Sequence, residues 1–337
     1  MSRVVVWCDL GPDIGVGHLM RCLALAEELE ARGREVVFLV DAAAVPFAAA
    51  QLDARGFASV VPAATVTAQL EQVAELAPEA VVIDSYRLPP VAYAGARASY
   101  RTLAFADGAI GGREADVYLD QNIGAEHDHR ALPAGAVRLA GLRYALMRDE
   151  VLRHRPARPE VPAPDGAPRV LAFFGGTDAF GAAPVLTAAL VATGLPFRLS
   201  VVAATDESRA ALAAIAPAPG QEVEVIAPTD RIAELVRAAD LVVSAAGTSS
   251  WELLCLGAAA AFVCVADNQA ESYGRVVAQG LTFPLGLLSG VRADPAAATA
   301  VLAEALSDTD ARNRLRRTGW ELVDGQGRQR VVAALLP

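Results

Sequence analysis

Long apolar runs that alternate with helical patterns constrain the fold of this 337-residue chain more than any other feature. The runs are rich in β-branched residues and lack polar alternation, which indicates strands that are buried on both faces. Such strands form parallel sheets with helices on either side, so we predict an α/β protein. In chain order the runs read RVVVWC, EVVFLV, AVVIDSY, RTLAFAD, RVLAFFGG, FRLSVVAA, EVEVIAP, DLVVSAAG and AAFVCVAD.

A proline-rich segment, RPARPEVPAPDGAP, divides these runs into two groups. Proline removes backbone donors and stiffens the chain, so neither a buried strand nor a helix continues through this segment. We predict an N-terminal β/α domain over residues 1–155, a linker over 156–168 and a C-terminal β/α domain over 169–337. Two such domains that face each other would form a cleft lined by the carboxyl ends of both sheets, where ligands bind in open α/β folds.

The composition argues against several classes of protein. Hydrophobic residues make up 54% and charged residues 20% of the chain, which fits a large core and not a disordered protein. A net charge of -10 without a basic tract argues against nucleic acid as the main partner. We find no pattern of a membrane span or a signal peptide. The four cysteines show no C-x-x-C spacing, so we expect buried, reduced thiols in a cytoplasmic protein, without zinc or disulfides.

The segment CDLGPDIGVGHLMRCL places glycines between the first predicted strand and the first predicted helix. It is not a dinucleotide-binding fingerprint, because Met20 stands where that motif needs its last glycine. We therefore expect no NAD-type cofactor. Gly15 and Gly17 would let a substrate approach the backbone. His18 would lie at the positive end of the helix dipole, which favours the neutral imidazole. His18 is therefore either a catalytic base or a residue that packs at the helix start, and we favour the base.

Polar residues follow other predicted strands as well. Asp84-Ser85-Tyr86 either faces a ligand or caps the next helix. The segment Gly175–Thr177 is a candidate anion-binding nest, and the alternative is an ordinary turn in which Asp178 caps a helix.

The segment SAAGTSSWELL is more informative. Gly247 allows close approach of a ligand, the next three residues offer hydroxyls at a helix start, and the Glu252 carboxylate could bind a ribose diol. A capping box explains part of this pattern, but the glycine and three hydroxyls exceed what a cap needs, so we predict pyrophosphate binding. Asp267–Gln269 suits recognition of sugar hydroxyls or forms a polar turn, and Asp308 is typical of a helix cap and not of a metal site.

Several blocks together resemble a known family. DIGVGHLMRCLALAEEL, IDSY, LDQN, GLRYALMRDE, FFGGTD, ADLVVSAAGTSSWE and ADNQ occur in the order seen in the nucleotide-sugar hydrolases of pseudaminic acid biosynthesis (PseG-like proteins) and the related spore-coat polysaccharide proteins. This family is similar to the bacterial glycosyltransferase that makes lipid II. The resemblance therefore implies a GT-B architecture and hydrolysis of a UDP-linked amino or deoxy sugar at the anomeric carbon, without a metal or other cofactor. Two departures, Ala246 and the FADGA segment near Asp107, leave the sugar open.

The resemblance also assigns roles to residues. It implies that neutral His18 activates water for attack with inversion, and that Tyr86 and Asn268 lie near the sugar. A GT-B glycosyltransferase with a hydroxyl acceptor and a non-catalytic nucleotide-sugar-binding protein remain alternatives. The catalytic residues predicted in this way are His18, Tyr86 and Asn268; the predicted substrate-binding residues are Gly15, Gly17, Arg21, Asp84, Gly175, Gly176, Thr177, Gly247, Thr248, Ser249, Glu252, Asp267 and Gln269.

Overall fold

The chain forms two compact units, each built around one parallel sheet. The computed structural model describes residues 2–11, 14, 16–107, 110–159 and 166–337. The first unit comprises Met1–Asp149 and Gly325–Pro337, and the second comprises Glu150–Asp324. The predicted α/β class with two Rossmann-like units is confirmed. Part of the predicted linker, residues 160–165, lies outside the described residues.

The sheet of the first unit has seven parallel strands in the order β3-β2-β1-β4-β5-β6-β7. Its strands are β1 (Arg3–Cys8), β2 (Glu35–Leu39), β3 (Ala58–Val60), β4 (Ala80–Asp84), β5 (Arg101–Phe105), β6 (Val117–Asp120) and β7 (Val137–Ala140). The helices that accompany them are α1 (Gly17–Ala31), α2 (Pro46–Asp53), α3 (Val66–Glu75) and α4 (Pro90–Ser99).

The side chains of β1 explain why the sequence of this strand is one continuous apolar run. Val4 and Val6 face a core that includes residues of α1 and α2, whereas Val5 and Trp7 face a second core with residues of α3 and α4. Both faces of the strand are therefore covered, and a polar residue at any of these positions would be buried without a partner.

The sheet of the second unit has six parallel strands in the order β10-β9-β8-β11-β12-β13. Its strands are β8 (Arg169–Phe173), β9 (Phe197–Val202), β10 (Gln221–Ile226), β11 (Leu241–Ala245), β12 (Ala260–Cys264) and β13 (Phe283–Leu287). The helices of the central part of the chain are α5 (Asp149–His154), α6 (Ala182–Val191), α7 (Asp206–Ala213), α8 (Ile232–Ala238), α9 (Ser249–Cys255), α10 (Ala270–Ala278), α11 (Leu288–Ala293), α12 (Ala296–Ser307) and α13 (Thr309–Leu322). Asp308 accepts a hydrogen bond from the Ala311 backbone N–H and caps α13, as the sequence predicts.

The last helix, α14 (Gly327–Leu335), belongs to the first unit, although the sequence places it in a C-terminal domain. Its Val331 and Leu335 are fully buried in the core that also contains α1. Arg328 is buried too, and its guanidinium lies 2.5 Å from the Asp149 carboxylate and 3.3 Å from that of Glu27. The sequence analysis names no helix here and assigns these residues to the C-terminal domain, whereas the fold packs the helix against the first sheet.

Two further expectations concern membranes and thiols. Within the described ranges, no helix has the length and apolarity that a bilayer crossing requires. All four cysteines are buried, as predicted. Burial raises the pKa of the Cys255 thiol to about 12, so this sulfur stays protonated.

Candidate active site

The strand order of the first sheet reverses between β1 and β4, so the chain leaves these neighbouring strands in opposite directions. Ligands of open α/β sheets bind beyond the carboxyl ends of the strands at such a switch point. The segment after β1 leads into α1, which carries His18 and Arg21, and β4 ends in Asp84. The topology therefore brings these predicted residues together. We call the group of His18, Arg21, Asp84, Tyr86, Asp107 and Asn122 the His18 cluster.

His18 and Asp84 form a buried pair. His18 is 7% exposed and Asp84 is fully buried, and His18 Nδ1 lies 2.7 Å from Asp84 Oδ1. An ionised carboxylate can only accept, so Nδ1 carries the ring hydrogen and the lone pair of the neutral imidazole is on Nε2. This arrangement orients the ring and can stabilise an imidazolium once Nε2 has taken up a proton.

Arg21 links two carboxylates. Its Nε and Nη2 donate to the two oxygens of Asp84, each at 2.5 Å, and its Nη1 donates to Asp107 Oδ2 at 2.6 Å. The guanidinium carbon also lies 4.4 Å from the centre of the Phe105 ring. Arg21 is buried, and these three bonds give it a role in organising the site that the sequence does not show; its predicted role in substrate binding stays a prediction.

These contacts fix the ionisation of Asp84. Burial by itself raises the pKa of this carboxyl, but the charges of Arg21 and His18 and their hydrogen bonds outweigh burial and lower the pKa well below its ordinary range. Asp84 is therefore an anion at neutral pH, which is the state that the tautomer of His18 requires.

The rings of Tyr86 and His18 form a T-shaped contact. The two ring centroids are 4.7 Å apart with the planes at 79°, and the hydroxyl donates to Asp107 Oδ2 at 2.9 Å. Although the residue is 48% exposed, burial around its hydroxyl, followed by the charge of Asp107, raises the pKa of Tyr86 well above its ordinary value. The phenol therefore stays protonated next to the imidazole.

The backbone of Tyr86 is held by the segment after β1. Asp9 accepts hydrogen bonds from the Tyr86 N–H and the Ser85 hydroxyl, both at 2.7 Å. The Ser85 hydroxyl in turn accepts from the backbone N–H groups of Arg87 and Leu88. Ser85 therefore stabilises the turn, whereas Tyr86 presents its ring at the surface.

Asp107 and Asn122 are functional candidates that the sequence analysis misses. Asn122 Nδ2 donates to Asp107 Oδ1 and to Asp120 Oδ1, both at 2.9 Å. Asp107 follows β5 by two residues, and Asn122 follows β6 by two residues. Their places after the carboxyl ends of strands are the signal that could have found them, as that position found Asp84.

The second sheet has its own switch point, between β8 and β11. The segment Gly175–Thr177 follows β8, and Gly247 and Thr248 follow β11, so the two predicted phosphate segments leave adjacent strands at the same edge. The N-cap position of α6 is Gly181 and not Asp178, but the Asp178 carboxylate accepts hydrogen bonds from the Ala182 and Ala183 N–H groups at the start of this helix.

The start of α9 shows no capping by the side chain that precedes it. Thr248 stands at the N-cap position and makes no side-chain cap hydrogen bond, so the capping alternative does not account for its hydroxyl. Ser249 is the first residue of this short helix. Glu252 lies in its first turn and lines a small cavity together with Phe173 and Glu150.

The segment Asp267–Gln269 forms one 3-10 turn after β12. Asp267 and Asn268 are exposed, whereas Gln269 accepts a hydrogen bond from the Val265 N–H at 3.1 Å. A Cβ atom placed on Gly247 would lie 3.5 Å from Gln269 Nε2, so Gln269 approaches the predicted phosphate segment.

The predicted site residues are thus divided between the units. His18 and Tyr86 belong to the first unit and Asn268 to the second. Gly17 is the first residue of α1, and Gly15 lies outside the described residues.

No family model and no curated protein matches the sequence. Among solved structures, MurG of Acinetobacter baumannii matches with a TM-score of 0.71 and 16% identity over 99% of both chains. The fold is GT-B. The spinosyn rhamnosyltransferase SpnG complexed with thymidine diphosphate matches with a TM-score of 0.64 and 17% identity, over 100% of both chains. UGT89C1 of Arabidopsis thaliana complexed with UDP matches with a TM-score of 0.64 and 15% identity, again over 100% of both chains.

Proposed function

We propose that this protein transfers a sugar from a nucleoside diphosphate to a hydroxyl group, with His18 as the general base. The observation that carries the proposal is the His18–Asp84 pair at the switch point of the first sheet, in a chain whose whole length has the GT-B fold. The glycosyltransferase neighbours support an acceptor hydroxyl as the attacking group. Fold likeness alone does not assign a reaction, so the side chains of the site carry the chemistry.

In the proposed reaction, Nε2 of neutral His18 takes the proton of the attacking hydroxyl. The oxygen forms a bond to the anomeric carbon as the bond from that carbon to the diphosphate oxygen breaks, with inversion at the carbon. Asp84 stabilises the positive charge that develops on the imidazole. General-base assistance of this kind contributes a factor of about 10²–10⁴.

The nucleotide would be held by the second unit. The proposal assigns the diphosphate to the N–H groups of Gly175–Thr177 and to the segment Gly247–Ser249, and the ribose diol to Glu252. The position of both segments at one switch point supports this assignment, as do the nucleoside diphosphates bound in two neighbour structures. Backbone N–H groups and hydroxyls would then stabilise the leaving group.

Hydrolysis is the second candidate, in which water replaces the acceptor. The specific observation in its favour is the set of sequence blocks, above all GHLMR and ADNQ, that resembles the hydrolases of pseudaminic acid biosynthesis. Both reactions use the same donor, the same base and the same leaving group. They differ only in which hydroxyl lies within reach of His18.

One experiment distinguishes the two candidates. Purified protein is incubated with a panel of UDP- and TDP-linked sugars, with and without a panel of hydroxyl acceptors, and the products are identified by mass spectrometry. We expect nucleoside diphosphate and a glycosylated acceptor to form together, with little release in water alone. Rapid release of free sugar without acceptor would instead establish the hydrolase. Tight binding without turnover across both panels would contradict both and leave a binding protein.

Replacing Glu252 by alanine should weaken nucleoside diphosphate binding by roughly ten- to a hundredfold. A hydrogen bond between a charged group and the ribose is worth about 1.5–3 kcal/mol, which corresponds to that factor. Calorimetry with UDP and TDP measures the effect, and Glu304→Ala on the exposed surface of α12 is the matched control. Equal affinities for Glu252→Ala and wild type, in folded protein, would remove Glu252 from the nucleotide site.

A further inference from the structure

The net charge of the His18 cluster depends on whether His18 is protonated. Asp84 and Asp107 supply two negative charges, and Arg21 supplies one positive charge. With neutral His18 the cluster carries one excess negative charge, and with protonated His18 it is balanced. Because Arg21 engages Asp84 through two bonds, Asp84 alone does not provide a counter-charge for both Arg21 and an imidazolium.

We infer that Asp107 is a positioning residue that acts through Arg21 to set how readily His18 accepts a proton. Asp107 supplies the second negative charge, and it fixes Arg21 at Nη1 so that the other two nitrogens lie on Asp84. Arg21 Nη2 also lies 3.3 Å from His18 Nδ1, close enough for the arginine charge to oppose an imidazolium. This inference rests on the proposed function of His18 as a base.

The same carboxylate orders the surroundings of the imidazole. Asp107 Oδ2 accepts from both Arg21 and Tyr86, and Oδ1 accepts from Asn122. Tyr86 is the residue whose ring meets the edge of His18. One side chain therefore holds the arginine that faces His18 from α1 and the tyrosine that covers it from the segment after β4.

The other carboxylates near His18 have partners other than Arg21: Asp9 accepts hydrogen bonds from the Ser85 hydroxyl and the Tyr86 N–H. The pKa of Cys22 is raised by burial, so its thiol, which lies 3.6 Å from Asp84, is neutral. Asp120 pairs with Arg130 at 3.2 Å. The charged and titratable groups in and around the cluster can be given element by element. They are Cys8 of β1, which contacts Cys22, and Asp9 after β1; Arg21 and Cys22 of α1; Asp84 of β4 and Tyr86 after it; Tyr93 of α4, which donates to the Ser85 carbonyl; Asp107 after β5; and Asp120 of β6 with Arg130 after it.

The inference predicts that Asp107→Asn makes His18 harder to protonate. NMR titration of histidine-labelled protein should show the midpoint of the His18 ring about one pH unit lower than in wild type, as expected for losing a nearby opposite charge. The signal is assigned by its absence in His18→Asn, since the chain has four histidines. Asp107→Glu, which keeps the charge, should restore most of the wild-type midpoint. Asp107→Ser is a second neutral variant in case the asparagine does not fold.

Asp116→Asn is the matched control. Asp116 is another partly buried carboxylate of the first unit, and it pairs with Arg97 at 3.2 Å, away from the cluster. Its replacement should leave the His18 midpoint unchanged. In turnover assays, Asp107→Asn should move the acidic limb of kcat/KM to lower pH by the same amount as the NMR midpoint and lower kcat about three- to tenfold, because a weaker base assists less.

The two readouts separate this inference from the proposed function. The NMR midpoint needs no substrate, so it tests Asp107 even if the enzyme turns over none of the donors supplied. A wild-type midpoint in a folded Asp107→Asn or Asp107→Ser protein would overturn the inference. A shifted midpoint with an unmoved pH profile would uphold the inference about Asp107 and contradict the proposed function, because His18 would then not be the group that limits the rate at low pH.

Discussion

Replacing His18 by asparagine is expected to lower turnover at least about a hundredfold while KM changes little. Asparagine keeps a similar size and a hydrogen-bonding group, but it offers no base, and the lost interaction belongs to the transition state. The wild-type rate should also fall on the acidic side of its pH profile, because a protonated imidazole cannot accept the proton of the attacking hydroxyl. Release of nucleoside diphosphate at saturating donor measures both effects.

His127→Asn is the control for this prediction, because the His127 side chain is 83% exposed and lies outside the His18 cluster. It should leave turnover unchanged. A folded His18→Asn protein that works within a few-fold of wild type would show that His18 only packs at the start of α1. The search for the base would then move to Tyr86, Asp84 and Asp267.

The second large effect is expected for Asp84→Asn, in both rate and stability. An amide can donate a hydrogen bond to His18 Nδ1 and so favour the tautomer in which Nε2 carries the hydrogen, and turnover should fall by about 10²–10⁴-fold. The change also leaves the Arg21 guanidinium buried without its bidentate partner, which costs about 3–5 kcal/mol of unfolding free energy. By contrast, Glu35→Gln breaks an exposed pair with Arg3 and should cost at most about 1 kcal/mol.

The stability effect of Asp84 has a defined pH dependence. Its folded-state pKa is lowered, so its contribution to stability is complete above the unfolded-state pKa of about 3.9 and is lost as the pH falls toward the folded-state value. Denaturant unfolding followed at several pH values should therefore show wild type and Asp84→Asn converging as the pH falls below about 4. A gap between the two proteins that stays constant through that range would contradict the assigned ionisation of Asp84.

The long buried strands could be predicted from the sequence because both of their faces are apolar. The four strands that were missed are short or interrupted. β3 spans Ala58–Val60 and is largely exposed, β6 and β7 have four residues each, and β13, FPLGL, contains a proline and a glycine. Such segments gain their strand structure from the neighbours to which they pair, which is tertiary information.

For the candidate site, the sequence likewise predicts the positions that follow directly from long strands, but not the contacts made across the fold. His18 and Asp84 follow long strands at the switch point, so their place at the carboxyl edge can be derived from pattern alone. Asp107 also follows a predicted strand, but its contacts could not be predicted, because its partners come from three separate segments of the chain that only the fold brings together. The buried charges around Arg328 that tie α14 to the first unit likewise appear only in the fold.

The proposed reaction requires that Asp84 hold His18 in the tautomer whose Nε2 is a free base. Nitrogen NMR of histidine-labelled protein at about pH 8.5, where an ordinary imidazole is neutral, tests this requirement without any substrate. The structure predicts that the His18 hydrogen resides on Nδ1, with the Nε2 resonance in the unprotonated range and shifting when Asp84 is replaced by asparagine. A His18 ring that carries its hydrogen on Nε2 in the wild-type protein would contradict the role of His18 as the base, because Nε2 would then have no lone pair to accept the proton.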